Sequence, residues 1–279
     1  MSPPAGFVTR FAPSPTGRLH RGHAFSALTA HDAARAAGGR LNLRIEDIDT
    51  ARCRPAFAQA IIADLAWLGV TWDEPVVFQS KRQVAYAEAL RALRDRGLVY
   101  RCFKTRAEAA AASASAPHGP QLAFLGAALP LDEEARRLAA GEAFAWRLSI
   151  AAAERELDGF ANLAFQDADR GRIRADPWLA GDVILARKDL GVAYHLAAVV
   201  DDGASGVTCV IRGEDLREAC HVQVLLQALL RLPTPDYRHH PLILGADGKR
   251  LAKRDASETI ASLRAGGATP ERLRAELGL

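Results

Sequence analysis

At 279 residues, with 49% hydrophobic and 25% charged residues and a formal net charge of +3, the chain has ordinary globular composition. It is long enough for a sizeable core, as one large domain or one domain with an insertion. No apolar run approaches the roughly 18–20 residues that cross a bilayer as a helix. Met1-Ser2-Pro3-Pro4 lacks the basic and apolar leader of a secretory signal, so a cytoplasmic, membrane-free protein is expected. Cys53, Cys102, Cys209 and Cys220 are scattered without a C-x-x-C pair and read as free thiols. Arginine greatly outnumbers lysine, which occurs only at Lys81, Lys104, Lys188, Lys249 and Lys253. A GC-rich genome and phosphate recognition both account for that bias.

The first element is a buried strand over Phe7–Ala12. It meets Pro13, Pro15 and Gly17, then His20-Arg21-Gly22-His23 at the start of an alanine-rich helix that runs to Ala37 and closes at Gly38-Gly39. A strand, a rigid turn and a helix start rich in small residues make an anion site, because the first N–H groups of the helix point outward. His20 and His23, at i and i+3, share one face of that first turn. Leu41–Ile45 is a second strand, followed by the acidic turn Glu46-Asp47-Ile48-Asp49. Pro55 opens a helix to Leu68, stopped by Gly69. Ser80 with Gln83 predicts a capping box for a helix ending at Gly97. This alternation implies a parallel, doubly wound sheet with ligands at the carboxyl ends of its strands, where residues 10–23 and 46–49 fall.

The pattern changes after Tyr100. Ala109–Pro117 is nearly all alanine and serine, 131–140 reads as helix, and 143–175 as short strands and turns. Strand-like runs resume at Val183–Ala186 and Val207–Arg212, and a helix is expected from about Leu216 to Leu230. Leu242–Leu244 leads into the basic loop Gly245-Ala246-Asp247-Gly248-Lys249-Arg250-Leu251-Ala252-Lys253-Arg254. Thr269-Pro270-Glu271 caps a last short helix. The expected fold class is therefore α/β: a Rossmann-like doubly wound parallel sheet with an inserted α+β subdomain and a short C-terminal helical segment. The expected division is 1–98, 99–185 and 186–279.

The string Arg10-Phe11-Ala12-Pro13-Ser14-Pro15-Thr16-Gly17-Arg18-Leu19-His20-Arg21-Gly22-His23 resembles the HIGH region of the glutamyl/glutaminyl branch of class I aminoacyl-tRNA synthetases. Arg250-Leu251-Ala252-Lys253-Arg254 resembles that family's KMSKS loop, with arginine for its first lysine and alanine for its serine. The resemblance continues through Arg44-Ile45-Glu46-Asp47, Tyr194-His195-Leu196-Ala197, Val199-Val200-Asp201-Asp202 and Val210-Ile211-Arg212-Gly213-Glu214-Asp215, and covers nearly the whole chain. It implies a catalytic set of His20, His23 and Lys253. It implies an ATP site, with Mg²⁺, formed by Pro13, His20, Gly22, His23, Arg250, Leu251, Ala252, Lys253 and Arg254. It implies an L-glutamate site formed by Arg10, Phe11, Ala12, Pro13, Ser14, Glu46, Tyr194 and Arg212. The chemistry suits the ligand: arginines fork onto two carboxylates and Glu46 takes the ammonium. Taken singly, Tyr194 also suits core filling, Arg212 a surface ion pair and Glu46 a helix-cap acid.

Two departures refine the resemblance. Relatives of this size often hold zinc in the insertion through a C-x-C pair, a tyrosine and a distal cysteine. Here Cys102 is followed by Phe103-Lys104, and His118 is the nearest further soft donor, so no zinc is expected. The sequence also ends at Leu279, soon after Arg254, where full-length glutamyl-tRNA synthetases continue into an anticodon-reading domain. The resemblance thus narrows to the truncated, glutamyl-queuosine tRNA(Asp) synthetase branch. It implies a monomer that activates glutamate with ATP and transfers it to queuosine in the anticodon loop of tRNA(Asp). Arg101, Arg106, Arg170, Arg172 and Arg174 suit either phosphate contacts or ordinary surface charge. Ala198 and Ala252 have no assigned effect. A minimal enzyme charging a tRNA 3′ end, a non-catalytic tRNA-binding paralogue and a small-metabolite adenylyltransferase remain alternatives.

Overall fold

The computed structural model describes residues 6–105, 107–109, 123–187, 191–243 and 258–279. His118 and the whole basic loop 245–254, with Lys253, lie outside the described residues.

A parallel sheet opens the chain. Strand β1 (Val8–Phe11) pairs with β2 (Arg40–Ile45), which pairs with β3 (Val77–Phe78). The sequence RLNLRI of β2 alternates, so its two faces bury different things. Leu41, Leu43 and Ile45 lie at 1% exposure or less against helix α1 (Arg21–Ala36) and helix α2 (Pro55–Trp67). Burial of each such side chain is worth about 1.5–3 kcal/mol. Asn42 and Arg44 point to the opposite face, which they share with Arg10 of β1. Helix α1 ends where expected, with Gly38 at φ +59° and Gly39 so close to Phe7 that a Cβ would stand 2.1 Å from its carbonyl oxygen. Pro55 is the first residue of α2, as its fixed φ favours.

The capping box predicted for Ser80 and Gln83 does not form. Ser80 sits in a 3-10 turn (Gln79–Lys81), and its N–H and hydroxyl donate to Asp47 at 2.8 and 2.7 Å. The ionised Asp47 is the stronger acceptor and takes both groups. Helix α3 (Gln83–Asp95) begins after Arg82 without a side-chain cap.

The middle of the chain supplies strands to two sheets. Strands β4 (Val99–Cys102), β5 (Ala145–Leu148), β8 (Ile184–Arg187) and β9 (Gly191–Val192) form an antiparallel sheet. The exposed helix α4 (Leu131–Ala139) precedes β5, and helix α5 (Ile150–Glu156) follows it. Strands β6 (Ala164–Asp167) and β7 (Gly171–Arg174) form a hairpin on β11 (Asp236–His240), which is parallel to β10 (Cys209–Gly213). Strand β10 runs beside β1: the Thr208 N–H donates to the Val8 carbonyl at 2.9 Å, and the Thr208 hydroxyl accepts from the Val8 N–H at 2.9 Å. Helix α6 (Tyr194–Ala204) covers the polar face of β1 and β2. In place of one helix over 216–230, a 3-10 turn (Glu214–Leu216) precedes helix α7 (Ala219–Leu229). Helices α8 (Ile260–Ala265) and α9 (Pro270–Glu276) close the described chain, the latter capped by Thr269. No helix among the described residues is long and apolar enough to cross a membrane.

Candidate active site

A cleft of about 430 Å³ opens at the carboxyl ends of β1, β2 and β10. It is lined by Arg10, Phe11, Ala12, Pro13, Ser14, Glu46, Tyr194 and Arg212, together with His20, Gly22 and His23. Every residue expected to bind glutamate is in this set. The cleft also takes in Ser26, Gly213, Asp215, Leu216, His240, Leu242 and Ile243, none of which the sequence assigned to the site, although Gly213 and Asp215 lie in the resembling string around Arg212. Ser26 was within reach of it, since it lies one further turn along α1 from His23 and Gly22.

The two histidines hold each other. His20 is the N-cap of α1; its Nδ1 accepts from the Gly22 N–H at 3.2 Å, while His23 Nδ1 accepts from the His20 N–H at 3.2 Å. Their rings pack at 3.8 Å between centroids. An imidazole whose Nδ1 accepts carries its proton on Nε2, so in both rings Nε2–H is the donor nitrogen. The helix-capping role that such histidines often play is therefore real here, and it fixes the tautomer an anion requires. Gly22 makes the arrangement possible: a Cβ there would stand 3.1 Å from His20 Cε1 and 3.2 Å from Nδ1.

Behind the cleft floor lies a charged layer. Arg10 Nε donates to Asp202 at 3.2 and 3.4 Å, and its Nη1 to the Ile211 carbonyl at 3.3 Å. Arg44 donates to Asp202 at 2.5 Å and to Glu46 at 3.1 Å, with Asp201 at 4.0 Å. Asp201, fully buried, accepts from Gln79, Arg82 and the Tyr86 hydroxyl at 2.8, 2.5 and 2.7 Å. Burial alone would raise the Asp202 pKa, but Arg10 and Arg44 outweigh it and hold the carboxyl below its usual range. Burial would likewise lower the Arg44 pKa, and Asp202, Glu46 and Asp201 reverse the shift upward. Glu46 has the opposite outcome: burial pushes its pKa up, and Arg44 and Arg10 only partly offset this. An ammonium ion at the cleft face of Glu46 would relieve that cost.

Arg212 is held differently. It is 4% exposed, and its donors go to neutral acceptors: His239 Nε2 at 3.3 Å, Gln223 Oε1 at 2.9 Å and Cys220 Sγ at 2.9 Å. The cleft wall also carries His240, whose Nδ1–H donates to the Pro241 carbonyl at 2.9 Å and whose Nε2 accepts from the Ser26 hydroxyl at 2.9 Å.

The described residues that flank residues 244–257 meet the cleft and the strand–helix turn beside it. Ile243 lines the cleft, and on return the Ile260 N–H donates to the Leu19 carbonyl at 2.9 Å as Thr259 bridges His20. Among the described residues, no group of three or more His, Cys, Asp or Glu side chains is placed to hold a metal ion.

The profile of the class I tRNA synthetases (E and Q), catalytic domain, matches residues 7–279. The chain belongs to that family. It is 48% identical over 290 residues to a glutamyl-Q tRNA(Asp) synthetase from Rhodobacter capsulatus, covering 98% of this chain and all of that protein. It is 41% identical over 276 residues to a glutamate–tRNA ligase from Synechococcus, covering 97% of this chain and 56% of that one. The crystal structure of a glutamate tRNA ligase from Elizabethkingia meningosepticum, in complex with its amino acid, superposes with a TM-score of 0.80 at 27% identity. That match covers 98% of this chain and 60% of the ligase, so the chain spans about three fifths of the solved protein.

Proposed function

We propose that this cleft activates L-glutamate with ATP and transfers the glutamyl group to the queuosine base of tRNA(Asp). The observation that carries the reading is the convergence of Arg10, Glu46, Tyr194 and Arg212 with the two histidines at the N-terminus of α1 in one cleft. Likeness to the glutamyl-Q tRNA(Asp) synthetases over the full length of the Rhodobacter protein supports the acceptor.

In the first step, an oxygen of the substrate α-carboxylate forms a bond to the α-phosphorus of ATP. The bond from that phosphorus to the bridging oxygen breaks, and pyrophosphate leaves; Mg²⁺ bound with ATP would offset the charge on the triphosphate. No protein nucleophile is required; positioning and charge stabilisation supply the rate. His20 and His23 donate from Nε2 to triphosphate oxygens, Lys253 adds a cation, and Gly22 leaves room at the helix N-terminus. Arg10, Phe11, Ala12, Pro13 and Ser14 line the amino-acid side with Tyr194. Arg212 and Arg10 attract the carboxylates and Glu46 the ammonium. In the second step, a hydroxyl of the queuosine cyclopentene ring attacks the glutamyl carbonyl, AMP leaves, and the hydroxyl proton goes to solvent. A monomer working in the cytoplasm, without zinc, suffices for this chemistry.

Glutamate-dependent ATP–pyrophosphate exchange by the purified protein tests the first step. Glutamylation of tRNA(Asp) with and without queuosine tests the second. Exchange together with labelling that requires queuosine is the expected result. Equal charging of unmodified tRNA would replace the acceptor with the 3′ end, and absent exchange by a protein that binds ATP would favour a tRNA-binding paralogue.

A further inference from the structure

Hydrogen bonds link three polar side chains from adjacent strands across the sheet. Arg212 of β10 is the direct register partner of His239 of β11; Asp167 lies on β6, the next strand over, opposite Tyr237, and reaches His239 from two residues along β11. All three are buried, at 4%, 4% and 0% exposure. His239 Nδ1 lies 2.8 Å from Asp167 Oδ2, and a carboxylate can only accept, so the imidazole donates there. In the neutral ring the other nitrogen, Nε2, is then an acceptor, and it takes the Arg212 Nε–H at 3.3 Å. Burial lowers the His239 pKa, and Arg212 and Arg217 lower it further against the pull of Asp167, so the ring stays neutral. Asp167 is itself fixed by Arg217 at 2.5 Å and by the N–H groups of Asp169 and Arg170 at 3.0 and 3.2 Å.

We infer that His239 is a positioning residue for Arg212 and, with Asp167, a determinant of the preference for a carboxylate over an amide side chain in the substrate. The inference rests on the glutamate reading of the cleft. Two physical consequences follow from these links. The acceptor on His239 fixes the Nε edge of the guanidinium, so its remaining donors keep one aim toward the cleft. The neutral ring also stands between Arg212 and Asp167, which prevents a direct ion pair. Cys220 and Gln223 fill other donor positions without adding charge. Arg212 therefore faces the cleft as a cation whose hydrogen bonds are organised but whose charge, among the described residues, is not neutralised by contact. A ligand carboxylate supplies the missing charge; a carboxamide does not.

The test compares His239→Leu, His239→Gln and Asp167→Asn in steady-state ATP–pyrophosphate exchange, with thermal melts of each protein. Leu removes the acceptor, while the Gln oxygen reaches about where Nε2 stood. The expected result is a KM for glutamate raised about tenfold or more in His239→Leu, with the KM for ATP unchanged and discrimination against glutamine reduced. His239→Gln should return the KM for glutamate to within about threefold of wild type. Asp167→Asn presents an amide donor to Nδ1, inverts the tautomer and turns an N–H toward Arg212, so its KM for glutamate should rise like that of His239→Leu. A purely structural role would shift melting temperature, or both KM values together, without this split. An unchanged KM for glutamate in His239→Leu, or in Asp167→Asn should the leucine variant fail to fold, overturns the inference. Wild-type protein without glutamate-dependent exchange would instead overturn the glutamate reading itself, and this inference with it.

Discussion

Asp202→Asn removes one charge at nearly constant volume from the layer beneath the cleft. The Asp202 side chain is 11% exposed and meets Arg10 at 3.2 Å and Arg44 at 2.5 Å. In the native layer Arg10, Arg44 and Arg82 face Glu46, Asp201 and Asp202, so the charges balance. The substitution leaves one guanidinium charge without an acid in a region from which water is excluded. Breaking a buried pair in this way costs about 3–5 kcal/mol, a large share of a total stability of about 5–15 kcal/mol. At roughly 2–4 °C per kcal/mol, the melting temperature should fall by about 10 °C. The pH dependence follows from the lowered pKa of Asp202. Its contribution is fully present above the unfolded carboxylate value of about 3.9 and is lost as pH falls through the lower folded value. The stability gap between native protein and variant should therefore be flat across neutral pH and narrow only below about pH 4. Urea unfolding followed by tryptophan fluorescence measures it. A loss below about 1 kcal/mol at neutral pH, or a gap that does not narrow in acid, would refute the charge-balance argument.

Gly22→Ala should leave the helix as stable as before or more so, since alanine is the better helix former by up to about 1 kcal/mol. Its Cβ would nevertheless press on the His20 ring, so exchange activity should drop about tenfold or more, and full activity would count against the histidine geometry. Arg172 and Arg174 are exposed on one face of the edge strand β7; replacing both with alanine should weaken tRNA binding and flatten its salt dependence by about two phosphate contacts. Glutamate-dependent exchange should survive that change, and an unaltered salt slope would remove this strand from the RNA interface. Asp182, 3% exposed, accepts from the Tyr100 hydroxyl, Gly126 N–H and Ile150 N–H at 2.7, 2.8 and 2.9 Å, a staple of hydrogen bonds. Tyr100→Phe should cost about 1–3 kcal/mol, while strong chelators leave the melting temperature of the native protein unchanged; chelator-induced melting would show that a metal is held after all.

The strand–turn–helix around residues 8–36 was legible because each signal is local: an apolar run, two prolines, and small residues at a helix start. The amino-acid side was legible only as an ordered set, since Arg10, Glu46, Tyr194 and Arg212 come from four separate elements. The sequence did not yield the partners of those residues. Asp202 looks like one more surface acid until α6 is laid on the polar face of β1 and β2. His239 acquires a role only through the register between β10 and β11, a long-range pairing that no local pattern encodes. The Ser80–Gln83 prediction failed for a related reason: the local capping pattern was correct, but Asp47, far away in sequence, is a charged and better acceptor.

The two arginines of the cleft differ in a way that bears on selectivity. Arg10 touches Asp202, so much of its field at the cleft is offset at source. Among the described residues Arg212 donates to neutral acceptors, and the acid linked to it through His239 is one imidazole away. In a buried, low-dielectric wall that difference is large, because an uncompensated charge there attracts an anion far more strongly than a paired one. A ligand with a second carboxylate gains most by placing it at Arg212, while its ammonium relieves the raised pKa of Glu46. A ligand with an amide at that end keeps the hydrogen bonds but leaves the Arg212 charge unanswered. On this argument, discrimination between such ligands depends less on the arginines themselves than on which of them, among the described residues, has no acid in contact.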